Sequence, residues 1–166
     1  MGSKSTPTSP VKGVRMSSLA IDMSVAIEGV WQDFGPYRMK VAQANGATNP
    51  QFQAVFEKHM RPLMPALELA GGSKGLGGGT VSPEVERRSR AALHRIYAEA
   101  IVKDWDGLLD DSDKPIPYSP EACIKLFEAN PKTFDVVRAF SEGEIAFRAE
   151  QVQAVAGNSQ PTSSTG

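Results

Sequence analysis

The stretch SPEVERRSRAALHRIYAEAI, residues 82–101, decides the fold class. Val85, Ala92, Leu93, Ile96, Tyr97, Ala100 and Ile101 recur at spacings of three and four, which makes one stripe of a helix apolar and leaves the rest charged. Ser82 can accept a hydrogen bond from an orphan amide at the helix start, and Pro83 suits the first turn, where its missing N–H is not needed. Glu84 adds negative charge at the positive end of the helix dipole. The same pairing of a small polar residue with proline recurs at Asn49-Pro50, Ser119-Pro120 and Asn130-Pro131, and each predicts a helix start.

Working outward, a helix is expected from Pro50 with Phe52, Val55, Phe56 and Met60 on one stripe. Pro62 and Pro65 should kink or end it, with a short helical piece reaching Ala70. A short helix after Ser119 carries Ala122, Cys123, Leu126 and Phe127. The helix after Asn130 carries Phe134, Val137, Phe140 and Ile145, weakened at Gly143. Before all of these, residues 17–43 carry a strand signal. Leu19, Ile21, Met23, Val25 and Ile27 alternate with polar or small residues, and Tyr37, Met39 and Val41 do so again after the Gly35-Pro36 turn. Two or three short antiparallel strands follow from this reading, and a small ribbon needs helices to pack on. The fold class is therefore α+β and predominantly α-helical, with a small N-terminal antiparallel hairpin or meander on about four to five helices.

Residues 1–16 and 157–166 are rich in Ser, Thr, Pro and Gly and read as disordered tails around one domain, residues 17–156. GGSKGLGGGT, residues 71–80, reads as a flexible linker inside that domain. The 166-residue chain has a formal net charge of −1, so no bulk positive field points to nucleic acid and no polybasic run points to a membrane surface. No apolar run approaches the roughly 18 residues of a membrane span. The single cysteine, Cys123, is compatible with a reducing compartment, and the chain is read as cytoplasmic.

The chemistry-bearing residues form no catalytic or metal-binding constellation, so no cofactor and no enzymatic activity are expected. Asp104, Asp106, Asp110, Asp111 and Asp113 crowd the loop DWDGLLDDSDK, but its glycine and its final ligand stand at the wrong places for a calcium loop. The glycine-rich segment lacks the Gly-Lys-Ser/Thr ending of a phosphate loop and follows a helix instead of a strand. His59 and His94 lie far apart on separate helices, and Cys123 reads as a structural thiol. Gly2, in MGSKST, matches an N-myristoylation pattern, although a plain disordered tail accounts for the same residues. Trp31, Phe34, Tyr37 and Trp105 read as anchors of strands and loops, some of them available to a partner-binding patch.

Two passages resemble a phage tail assembly chaperone family, the tape measure chaperones of long-tailed phages. In EGVWQDFGPYRMKVAQANGATNPQFQAVFEKHMRP, residues 28–62, the likeness rests on Glu28, Gly29, Trp31, Arg38, Lys40, Asn49, Pro50 and Phe52. In IVKDWDGLLDDSDKPIPYSPEACIKLF, residues 101–127, it rests on Trp105, Gly107, Asp113, Pro115, Ile116, Pro117, Tyr118, Ser119, Pro120 and Glu121. Lys114 stands where the family pattern has glycine. The prolines push the residues before them out of the α region, so Pro115–Pro117 reads as an extended connector anchored by Trp105, with Ser119 capping the next helix. These residues read as scaffold. The resemblance implies a non-virion assembly factor that binds tape measure protein, keeps its apolar helices soluble and recruits major tail protein. It leaves homo-oligomerisation open. A structural virion protein and a lipid-anchored adaptor stand as alternatives.

Overall fold

The computed structural model describes residues 11–71 and 81–158. In chain order, a 3₁₀ turn (Met16–Leu19) leads to α1 (Met23–Glu28), β1 (Val30–Asp33), β2 (Arg38–Val41), α2 (Pro50–Met60), a 3₁₀ turn (Arg61–Leu63) and α3 (Met64–Gly71). Then follow α4 (Pro83–Ile96), a π-helical turn (Tyr97–Ile101), β3 (Val102–Asp106), α5 (Pro120–Ala129), α6 (Pro131–Glu142), a 3₁₀ turn (Ile145–Phe147) and α7 (Ala149–Asn158). The molecule is mostly helical with one three-stranded antiparallel sheet, in the order β1-β2-β3. No helix among the described residues is long and apolar enough to cross a membrane.

Local chemistry sets most of the helix starts. The side chains of Asn49, Ser82 and Ser119 accept from the amides of Phe52, Val85 and Ala122 at 3.2, 3.3 and 3.1 Å, opening α2, α4 and α5. Asn130 precedes α6 without a side-chain cap bond. Pro62 and Pro65 do interrupt the chain after α2, as a 3₁₀ turn before α3.

Three expectations need correction. The alternation through Leu19–Ile27 predicts a strand, yet α1 forms there because Asp22 Oδ1 accepts from the amides of Ser24 and Val25 at 3.1 and 3.3 Å. Only Ile21 keeps an extended pairing, a single bridge to Arg148. The third strand comes instead from Val102–Asp106, at the head of what reads as an acidic loop. Ile145 does not continue the inner face of α6. That helix ends at Gly143, Ile145 is 67% exposed, and Phe147 fills the core at 0%. The C-terminal helix α7 carries no prior signal. Gly71 ends α3, and Gly157 and Asn158 end α7, where a linker and a tail are expected; Gly2, residues 72–80 and residues 159–166 fall outside the described residues.

The two faces of the sheet differ sharply. Met39 pairs with Trp105 and Val41 with Val102, and all four side chains are buried against the π turn, α5 and α6. The other face carries Trp31, Asp33, Arg38, Lys40, Asp104 and Asp106 in cross-strand register. There Arg38 Nε donates to Asp106 at 3.2 Å and its guanidinium lies 4.8 Å from the centre of the exposed Trp31 ring. Such exposed contacts contribute little stability. Gly29 links α1 to β1 at φ +93°, and a Cβ there would stand 3.0 Å from the carbonyl carbon of Val41, so glycine is required.

One buried polar residue ties distant elements together. Gln43, 1% exposed, donates its amide to Ala26 O (2.8 Å) and its Nε2 to Gly143 O (3.1 Å). It accepts from Thr48 Oγ1 (2.6 Å) and from Asn49 Nδ2 (3.0 Å). The ends of α1, α2 and α6 meet on this residue through two backbone and two side-chain bonds, and a buried residue so fully satisfied holds its neighbours in one arrangement.

Candidate protein-binding groove

The connector between β3 and α5 builds an open, chiefly apolar cleft. Its anchor is Trp105, held from the core face of β3. The indole Nε1 donates to Ile116 O at 2.7 Å, and the ring meets Tyr118 edge-on at 5.0 Å. Tyr118 in turn donates its hydroxyl to the carbonyl of Ala98 in the π turn. These two bonds pin the extended Pro115–Tyr118 segment at both ends. Upstream, Ile116 N donates to Leu108 O at 2.9 Å and Leu109 bridges Pro115, so the two arms of the loop lie side by side. Asp110 Oδ1 closes the tip by accepting from the amides of Ser112 (2.8 Å) and Lys114 (3.0 Å). Gly107 starts the loop at φ +91°, packed so close to Pro36 and Tyr37 that a Cβ would stand 3.0 Å from Pro36 O.

Ser119 and Pro120 then set the phase of α5. Cys123 and Phe127 turn inward and are fully buried, while Ala122, Lys125 and Leu126 turn toward the loop. The result is a groove of about 520 Å³ between α5 and the loop, lined chiefly by Trp105, Leu108, Leu109, Ile116, Ala122 and Leu126. Leu109 is 51% exposed at its mouth. Glu121 and Lys125 supply its charged margin. A second, more polar cleft of about 410 Å³ lies by the β1–β2 turn, between Phe34 and Tyr37 and the α6 residues Lys132, Val136 and Phe140.

Burial sets the titration of the groups behind the groove. Burial pushes the Cys123 thiol up to about 12, a hydrogen bond with Tyr118 opposing only part of that shift. Burial likewise raises the Tyr118 hydroxyl well above its ordinary value. His94 is 5% exposed between the rings of Phe127 and Phe134, and burial lowers its affinity for a proton. His59 bonds Glu99 across 2.9 Å, joining α2 to the π turn. Among the described residues, no group of three His, Cys, Asp or Glu side chains could hold a metal ion.

The residues singled out by the sequence fall in three places. Trp105 and Ser119 line the groove, and Gly107, Pro115, Pro117, Tyr118 and Pro120 belong to the loop and helix start that carry it without lining it. Asn49, Pro50 and Phe52 open α2 at the Gln43 junction. Glu28 and Gly29 end α1, and Trp31 lies on the solvent face of the sheet, opposite Trp105. Sequence reasoning missed Leu108 and Leu109, whose signal is two adjacent leucines inside an acidic loop. It also missed the His59–Glu99 pair, which is separated by 40 residues and has no local signature.

A family model described as YdaY prophage protein matches residues 47–158. The chain belongs to the YdaY prophage protein family. The YdaY match runs from the segment capping α2 through α7 and contains the whole groove, while Glu28, Gly29 and Trp31 precede it. Membership makes this a phage-related protein. The chain is also similar to Protein SEY1 of Paracoccidioides brasiliensis and of Paracoccidioides lutzii, at 35% identity over 92 residues, or 55% of the chain. It spans 10% of the length of these curated relatives. No solved structure matches.

Proposed function

We propose that this YdaY-family protein is a non-enzymatic tail assembly chaperone that binds tape measure protein in the host cytoplasm and assists tail tube growth with major tail protein. The observation that carries this reading is the groove. It is apolar, open, and built by the Trp105-to-Pro120 segment that also carries the resemblance to tail assembly chaperones. Cys123, on the inner face of α5, is buried and held protonated, and the Ser119 hydroxyl at the groove caps α5, which favours a binding surface over a reactive one. Membership of a prophage family is in keeping with a phage assembly role.

Co-expression with the tape measure protein of the same prophage tests the proposal. The expected result is a higher soluble yield of tape measure protein and recovery of the two chains together. No gain in solubility and no co-purification would reject it. Finding the chain as a stoichiometric component of purified particles would make it a virion protein instead.

A further inference from the structure

The groove carries more than an apolar floor. The loop and helix that build it, residues 107–126, hold four carboxylates, Asp110, Asp111, Asp113 and Glu121, against Lys114 and Lys125. Asp104 and Asp106 lie on the opposite face of the sheet, so they do not face the groove. Asp110 is engaged by backbone amides. Asp111, Asp113 and Glu121 form no salt bridge among the described residues, and all three are exposed. The open apolar cleft thus adjoins a loop and helix start with more free carboxylates than cations.

The backbone around the cleft decides what form of chain could occupy it. An extended peptide would need free amides and carbonyls to pair with. The loop arms are already paired with each other through Ile116 and Leu108, and Pro115 and Pro117 have no N–H to offer. The other wall is the side of a helix. Contact must therefore run through side chains, as when an amphipathic helix lays its apolar stripe into a groove.

We infer that this groove takes a basic amphipathic helix of a protein partner, its apolar stripe set on Leu109, Ala122 and Leu126 and its Lys or Arg flanks over Asp111, Asp113 and Glu121. The inference rests on the protein-binding reading above and adds the chemistry of the partner segment. Lys125 is the one cation among the lining residues. Charge complementarity of this kind governs partner choice and encounter rate, so binding should weaken with salt.

The test uses the full chain and two synthetic helices of about 16 residues with identical leucines at i, i+3, i+4 and i+7, one filled with lysine and one with glutamate. Affinity is read by calorimetry and location by methyl and amide NMR shifts. The lysine peptide should bind about tenfold or more tightly than the glutamate peptide, with the gap closing toward about 0.5 M salt. Shifts should centre on Leu109, Ala122 and Leu126. Leu109→Gln should weaken binding about tenfold, and the triple change Asp111→Asn, Asp113→Asn, Glu121→Gln should abolish the preference for lysine. Leu109 is half-exposed, so its replacement leaves the fold intact, which the NMR spectrum verifies.

Equal binding of the two peptides, no binding, or shifts centred on the Trp31 face of the sheet would overturn the inference. So would self-association that Leu109→Gln abolishes and the lysine peptide does not compete with, since the occupant would then be a second copy of the chain. Co-expression with tape measure protein separates this inference from the chaperone reading. If the wild type solubilises that protein and Leu109→Gln does so equally well, the groove assignment fails and the chaperone reading stands. If the wild type has no effect while the lysine peptide still binds at Leu109, the chaperone reading fails and the groove assignment stands.

Discussion

At the residue scale, the groove depends on a few side chains that also belong to the core. Tyr118 spans from the connector to the carbonyl of Ala98, a residue only 1% exposed. Tyr118→Phe keeps the ring against Trp105 and removes the donor, leaving a buried carbonyl with one partner fewer. The expected cost is about 1–3 kcal/mol in urea denaturation, the range for orphaning a buried polar group. An unchanged midpoint would mean that this bond adds nothing to stability. Cys123 makes a second residue-scale prediction. Its thiol is fully buried and held protonated by that burial, so a thiol reagent at neutral pH should label it only as fast as the native state opens. Labelling at the rate of a free thiol in native buffer would contradict the burial.

At the scale of the element, the caps should differ in a way their sequence pattern does not reveal. Asn49, Ser119 and Asn130 all precede a proline, yet only the first two cap through the side chain. Ser119→Ala should cost about 1 kcal/mol. Asn49→Ala should cost more, about 2–3 kcal/mol, because Asn49 Nδ2 also binds Gln43 O inside the core. Asn130→Ala should cost a few tenths. Urea midpoints of the three variants check the ranking, and equal losses would refute it. The contrast also explains what was legible beforehand. Helix starts are local chemistry, so α2, α4, α5 and α6 could be placed from a cap, a proline and an apolar stripe. The run from Leu19 to Ile27 fits both a strand and a helical turn over so few residues, and Asp22 decided it through bonds that an alternation count does not see. The third strand follows directly on a helix and is recognisable only through its pairing with β2. The groove was half legible. Trp105 and the proline connector stood out, but the face that α5 turns toward Leu109 is a tertiary outcome.

At the scale of the whole molecule, two ionisable groups, His94 on α4 and Glu99 on the π turn after it, link folding to pH. His94 is enclosed by Phe127 and Phe134. Burial is the main reason its proton affinity falls below the ordinary 6.5, with Glu128 opposing the shift and Arg90 adding to it. The unfolded chain therefore takes up this proton more readily than the folded one. Stability from His94 is complete above about pH 6.5 and declines as the pH falls below it, by at most about 1.4 kcal/mol per pH unit for one proton. On the π turn, burial raises the Glu99 carboxyl, but the hydrogen bond from His59 and the charges of His59, Lys58 and Arg95 outweigh it and hold it below 4.5. Its contribution is present above pH 4.5 and is lost as the pH drops through the lower folded value. Acid should thus weaken the protein in two successive stages. Urea midpoints from pH 8 to pH 3.5 would trace them: His94→Leu should flatten the first stage and leave the second, and Glu99→Gln should do the reverse. A wild-type curve that stays level between pH 7 and pH 5 would show that His94 takes its proton in the folded protein, and that the Phe127–Phe134 enclosure is open to water.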